Sequence, residues 1–121
     1  MITDPKQIAL ARTVILAQTT SYLPLSPEDF NQTCPNPDRL LHVKGPNAQN
    51  VLEQLQAEYA MLPACKIHGL VAYIGSRNLT MAELGLITGS FPKCDTYKGG
   101  IGFYTPGNGA VEVFLFVQIA D

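Results

Sequence analysis

The pattern of hydrophobic and polar positions predicts four helices and four strands. Near the start, Asp4 can cap a helix and Pro5 suits the first helical position. Eight of the ten residues from 8 to 17 are apolar, so this helix is hydrophobic nearly all round. Ser26 followed by Pro27 predicts the start of a second, short helix by the same logic.

The other two helices have clearer boundaries. After Asn47, apolar residues recur at helical spacing, glutamine and glutamate fill the positions between them, and Pro63 ends the pattern. Thr80 and Glu83 form a capping box, which predicts a helix from Met81 to about Thr88. These two helices are therefore predicted from both their ends and their periodicity.

Four segments have the composition of strands. Residues 39–44 predict a short strand, and residues 67–74 predict a strand that is apolar on both faces. Residues 100–104 and 110–120 flank a Thr-Pro-Gly-Asn-Gly turn, which predicts a C-terminal β-hairpin. The centre of the last strand is apolar on both faces, so we expect both faces to be covered.

These elements predict a single domain, residues 1–121, with a mixed α+β fold. The order is α-α-β-α-β-α-β-β, and a helix between two strands favours a right-handed crossover that makes the strands parallel neighbours. We expect a mixed four-stranded sheet that ends in the hairpin, with helices packed on it in two or three layers. The proline-rich segment 24–46 is expected to be a connector inside this domain.

Two alternatives remain for the first helix. The β-branched residues at 13–15 would also suit a strand. Residues 8–17 also resemble the apolar core of a signal peptide, but Arg12 interrupts that core and Asp4 precedes it. The charges therefore favour a helix of the folded domain.

Composition and charge exclude several classes of function. Charged residues are only 15% of the 121 residues and the net charge is −2, so we expect no nucleic-acid partner. No apolar run approaches the roughly 18 residues that cross a bilayer, so we expect no membrane partner. An odd number of cysteines, widely spaced, favours free thiols in a reducing compartment, which predicts a cytoplasmic protein.

Cysteine and histidine do not combine into a chemical site in the sequence. Cys65 and His68 have C-x-x-H spacing, but on a strand these two positions point to opposite faces, which is poor geometry for zinc. No particular cysteine–histidine pair is indicated for nucleophilic catalysis. We therefore predict no catalytic residue, no metal and no cofactor.

The loop after the strand 67–74 is the candidate ligand site. Ser76, Arg77 and Asn78 follow this strand and precede a capped helix, a place where ligands gather in α/β sheets. Arg77 could hold a carboxylate or a phosphate; an ordinary surface loop is the alternative. The glycines of segment 98–102 lead into a strand instead of a helix, which favours bulges or close backbone approach over a phosphate loop.

The apolar surface points to association. A small domain with more apolar surface than it can cover usually buries the excess at an interface. We expect Ile8 and Ile15 of the first helix, or Phe114 and Phe116 of the last strand, to contact a second copy. The sequence thus predicts a non-catalytic assembly or protein-interaction module that forms a homo-oligomer. The alternative is a small enzyme or ligand-binding domain that holds an anion at 75–78.

Overall fold

The computed structural model describes residues 1–17, 27–62, 66–76, 79–92, 98–104 and 110–119. Its helices are α1 (Pro5–Leu16), α2 (Pro27–Thr33), α3 (Ala48–Tyr59) and α4 (Met81–Gly89). Its strands are β1 (Arg39–Gly45), β2 (Ile67–Gly75), β3 (Lys98–Tyr104) and β4 (Val111–Ile119). The predicted α+β class is confirmed. The expected cap Ser26, the helix stop Pro63 and the turn at 105–109 lie outside the described residues.

Side-chain caps fix the starts of three helices. The Asp4 carboxylate and the Asn47 side-chain carbonyl each accept a hydrogen bond from a backbone N–H of the helix that follows, at 3.0 and 2.9 Å. Thr80 and Glu83 make the reciprocal bonds of a capping box, both at 3.1 Å. α1 is helical throughout residues 13–15, so the strand alternative for this segment is wrong.

The four strands form one sheet in the order β1-β4-β2-β3. β2 and β3 are parallel neighbours, as expected for two strands connected through α4. β1 and β2, connected through α3, are not neighbours, because β4 lies between them and runs antiparallel to both. The expectation of neighbouring parallel strands therefore holds for one of the two crossovers.

The expected C-terminal hairpin is wrong. β3 and β4 follow one another in the chain, but β2 separates them in the sheet. Gly75 of β2 pairs with Tyr104 on one side and with Glu112 on the other. The end of β3 and the start of β4 therefore lie on opposite sides of β2. The strongly apolar β4 takes the inner position, where both its edges are paired.

Two hydrophobic clusters cover the two faces of the sheet, which makes a three-layer arrangement. α3 and α4 cover one face, through Val51, Leu55, Ile87 and the β4 residues Val113, Leu115 and Val117. α1 and α2 cover the other face, where Ile8, Ile15 and Phe30 belong to the same cluster as Phe116 of β4. Alternate residues of β4 thus enter opposite clusters, and the expected cover on both faces of the last strand is present.

The glycine-rich segment 98–102 belongs to β3 itself. Lys98–Tyr104 pairs with Gly69–Gly75 in an unbroken parallel register, so of the two expected alternatives, a bulge or a close backbone approach, the bulge is not found there. α2 packs against both β2 and β3. The glycines therefore lie in a strand that a helix approaches.

The contact between α2 and β2 is close enough to require a glycine. A Cβ atom added to Gly69 would overlap the carbonyl oxygen of Thr33, the last residue of α2. That oxygen is fixed backbone, so it cannot move aside as a flexible side chain could. The short helix α2 therefore packs directly on the backbone of the sheet.

We predict that Gly69→Ala lowers the free energy of unfolding by about 1–3 kcal/mol, the usual cost of overpacking a core. The matched control is Gly89→Ala, because a Cβ at Gly89 would meet nothing within 4 Å. That variant should leave stability unchanged or raise it by up to about 1 kcal/mol. Urea unfolding measures the free energy of unfolding of both variants. Equal stability of Gly69→Ala and Gly89→Ala would contradict the close packing of α2 on β2.

Candidate functional site

The predicted ligand loop is described only at Ser76, and Arg77 and Asn78 lie outside the described residues. Ser76 is half-buried and comes directly after the end of β2. In the first turn of α4, the Glu83 carboxylate accepts the backbone N–H of Thr80. A carboxylate in this place weakens the attraction of the helix N-terminus for another anion. An anion site at 75–78 stays a prediction.

Three of the four expected interface residues are core residues of a single chain. Ile8, Ile15 and Phe116 are buried in the cluster between α1, α2 and the sheet. Each exposes 3% or less of its surface in the single chain, which disfavours an extensive contact with a second copy, and their place in an interface stays a prediction. Phe114 is partly buried, and its ring stacks on the imidazole of His42 with centroids 4.1 Å apart.

The exposed side of α1 carries different residues. Leu10 is 65% exposed and Val14 is 51% exposed, four residues apart on one side of the helix. Lys6 and Gln7 are exposed on the same helix. The hydrophobic pattern of α1 is therefore divided between the core and a mixed, partly charged surface.

The surface of α4 is more uniformly apolar. Met81 is 81% exposed and Leu86 is 57% exposed, whereas Ile87 alone is buried. The other exposed residues of this helix are alanine and glycine, at Ala82, Gly85 and Gly89. Its single charged side chain, Glu83, is tied to the helix start. The fully exposed positions of this surface therefore carry no charge, and the half-buried Glu83 carboxylate already has a hydrogen-bond partner.

Cys34 is a buried residue of the α1/α2 cluster. Its Sγ lies 3.9 Å from the carbonyl oxygen of Gly69 and 4.0 Å from that of Phe116. Burial raises the pKa of the Cys34 thiol to about 12; the negative charge of Asp38 adds to the rise and Arg12 opposes it. A thiol in this state is a core side chain and not a nucleophile.

Of the remaining histidine and cysteine residues, the structure describes the two histidines. His68 is exposed on β2, and Cys65 and Cys94 lie outside the described residues. Among the residues that the structure describes, no three metal-binding side chains form a group. The C-x-x-H spacing of Cys65 and His68 therefore gains no further metal ligand from the described residues.

A histidine–carboxylate pair lies on the sheet where sequence reasoning found nothing. The His42 Nε2 and a Glu112 carboxylate oxygen are 2.8 Å apart, joining β1 to β4. Residues 42 and 112 share a sheet face because Lys44 is the register partner of Glu112. Only the strand register reveals this pair, since the sequence does not show that β1 and β4 are neighbours.

None of the described helices has the length and apolar character that a bilayer crossing requires.

Comparisons with known proteins show similarity of fold. No protein-family model matches the chain, and no curated protein matches it in sequence. Nineteen chains of solved structures match it. One is an empty FtsZ dimer from M. jannaschii, with a TM-score of 0.64 and 15% sequence identity. The match covers 90% of this chain and 35% of the FtsZ chain, so the protein spans about a third of that neighbour's length. A likeness at this identity establishes the fold alone.

We predict that the Cys34 thiol resists alkylation in the folded protein at pH 8. The pH lies far below its pKa of about 12, so almost no thiolate is present, and the side chain is buried. Iodoacetamide should modify Cys34 only after unfolding in urea, as measured by mass spectrometry of the Cys34 peptide. A rate in the folded protein within about tenfold of the unfolded rate would contradict this prediction.

Proposed function

We propose that this protein is a non-catalytic assembly module that self-associates through α4. The observation that carries the proposal is the solvent-facing surface of α4, where every exposed residue is apolar or glycine. Met81 and Leu86 project large side chains from this surface. Apolar surface without charge is the character of the buried centre of an interface.

The charge distribution favours α4 over α1 as the contact. Leu10 and Val14 of α1 are exposed beside Lys6, and Arg12 belongs to the same helix. Burying α1 against another chain would remove water from these cations, which costs free energy unless acidic partners replace it. On α4 this cost is smaller, because its one charged side chain, Glu83, is half-buried and bonded to the helix backbone.

The glycines of α4 support a helix-to-helix contact. Gly85 lies inside the helix, where glycine costs about 1 kcal/mol relative to alanine. A Cβ at Gly85 or Gly89 would meet nothing within 4 Å, so packing inside this chain does not require either glycine. Their absent side chains would let another backbone come close. A second copy offers the same surface, and two-fold pairing places the two α4 helices together.

The test is a charge placed on α4. Light scattering at micromolar concentration should report a dimer or larger species for the native sequence and a monomer for Leu86→Lys, because the ammonium group would be trapped in an apolar contact. Leu86 is exposed, so the variant should keep the native circular dichroism and unfold within about 0.5 kcal/mol of the native protein.

The matched control is Leu10→Lys, the same change at an exposed leucine of α1. It should leave the oligomer intact. Dissociation by Leu10→Lys but not by Leu86→Lys would move the contact to α1 and contradict the proposal. A native protein that stays monomeric at every micromolar concentration would refute self-association itself.

A further inference from the structure

A groove of about 450 Å³ runs between α1 and the segment 35–37. Its apolar walls come from Ile8 and Leu16 of α1 on one side, and from Pro35 and Pro37 on the other. Arg12, Thr13 and Asn36 supply its polar groups. The volume lies in the range of small-molecule sites, and an apolar lining with few polar groups is typical of them.

Both walls of the groove are held in place. Asn36 N–H donates to the side-chain oxygen of Gln118 at 3.0 Å, and Asp38 N–H donates to the carbonyl of Val117 at 2.9 Å. These bonds fix the segment 35–37 to the end of β4, and its two prolines restrict it further. The opposite wall is anchored because Ile8 is buried in the core. A groove with fixed walls loses little conformational entropy when a ligand binds.

Arg12 is the charged group of this groove, and its position is set by an aromatic ring. Its guanidinium carbon lies 4.5 Å from the ring centroid of Phe30, a cation–π contact that holds the face of the guanidinium. The N–H edges of a stacked guanidinium still donate hydrogen bonds. Among the described residues, none accepts a hydrogen bond from Arg12 or forms an ion pair with it.

Two described acidic residues near the groove, Asp4 and Asp38, have other partners. Asp4 caps α1 by accepting the N–H of Lys6, and the Asp38 carboxylate accepts the N–H of Ile119 at 3.2 Å. The described residues that line the groove include no acidic side chain. The described lining of the groove therefore presents a positive charge without a carboxylate beside it.

We propose that this groove binds a small apolar carboxylate. The carboxylate would accept two hydrogen bonds from the edge of Arg12, a pairing that the planar guanidinium favours. The apolar part would lie between the proline wall, Ile8 and Leu16. The groove and α4 lie on opposite faces of the sheet, so this site does not depend on self-association.

The probe for the test is 3-phenylpropanoate, with 3-phenylpropanol as its neutral analogue. Titration of the full chain, followed by ligand-detected NMR or calorimetry, should give saturable binding of the acid with a Kd of about 1 mM or below. The alcohol should bind at least about tenfold more weakly, because it lacks the charge that Arg12 pairs with.

Two variants locate the site. Arg12→Gln should weaken binding of the acid about tenfold or more, whereas Lys44→Gln, which removes the same charge from an exposed position on β1, should not. Ala9→Phe fills the groove while keeping Arg12, and it should also abolish binding. The Ala9→Phe variant keeps the proposal testable if Arg12→Gln fails to fold because the contact between residue 12 and Phe30 is lost.

Three results would overturn the proposal. They are equal affinity for the acid and the alcohol, unchanged binding by folded Arg12→Gln or Ala9→Phe, and no saturable binding of the acid up to about 10 mM.

Discussion

The fold depends on the burial of β4 on both faces and the pairing of both its edges. Alternate residues of this strand enter the two clusters, with Leu115 in one and Phe116 in the other. Its edges pair with β1 and β2, and these two strands do not pair with each other in the sheet. The segment nearest the C-terminus thus completes the sheet, and the pairing of residues 39–45 with 111–117 makes the topology non-local. Neither core is closed until that strand is in place.

Local chemistry explains why part of this fold could be predicted from the sequence. The capping box of Thr80 and Glu83 acts within four residues, and the structure contains it as expected. The α+β class followed from alternating helical and strand patterns. The hairpin prediction was wrong because the composition of residues 105–109 favours a turn but does not indicate which strand the following segment pairs with. The position of β4 depends on the edges that β1 and β2 leave open, which is a property of the whole sheet.

The functional surfaces were harder to predict for a similar reason. A helix that is apolar all round does not reveal which side meets the core, so Ile8 was expected at an interface and the exposure of Leu10 was not predicted. The stacking of Arg12 on Phe30 depends on where α2 lies, and that in turn depends on the close approach at Gly69. The pair of His42 and Glu112 exists only in the observed register. Each of these contacts joins residues that are distant in the sequence.

The two outer layers of the molecule suit different kinds of contact. A protein surface that covered Arg12 would have to remove its water, and would gain from doing so only by supplying a negative charge in the right place. A small carboxylate carries that charge with it and leaves the rest of α1 hydrated. On α4, by contrast, none of the fully exposed side chains is charged. Burial of Met81 and Leu86 is therefore favourable with any apolar partner. The cost of removing water from Arg12 therefore disfavours α1 as a protein interface. A small anionic ligand in the groove can offset that cost with its own charge.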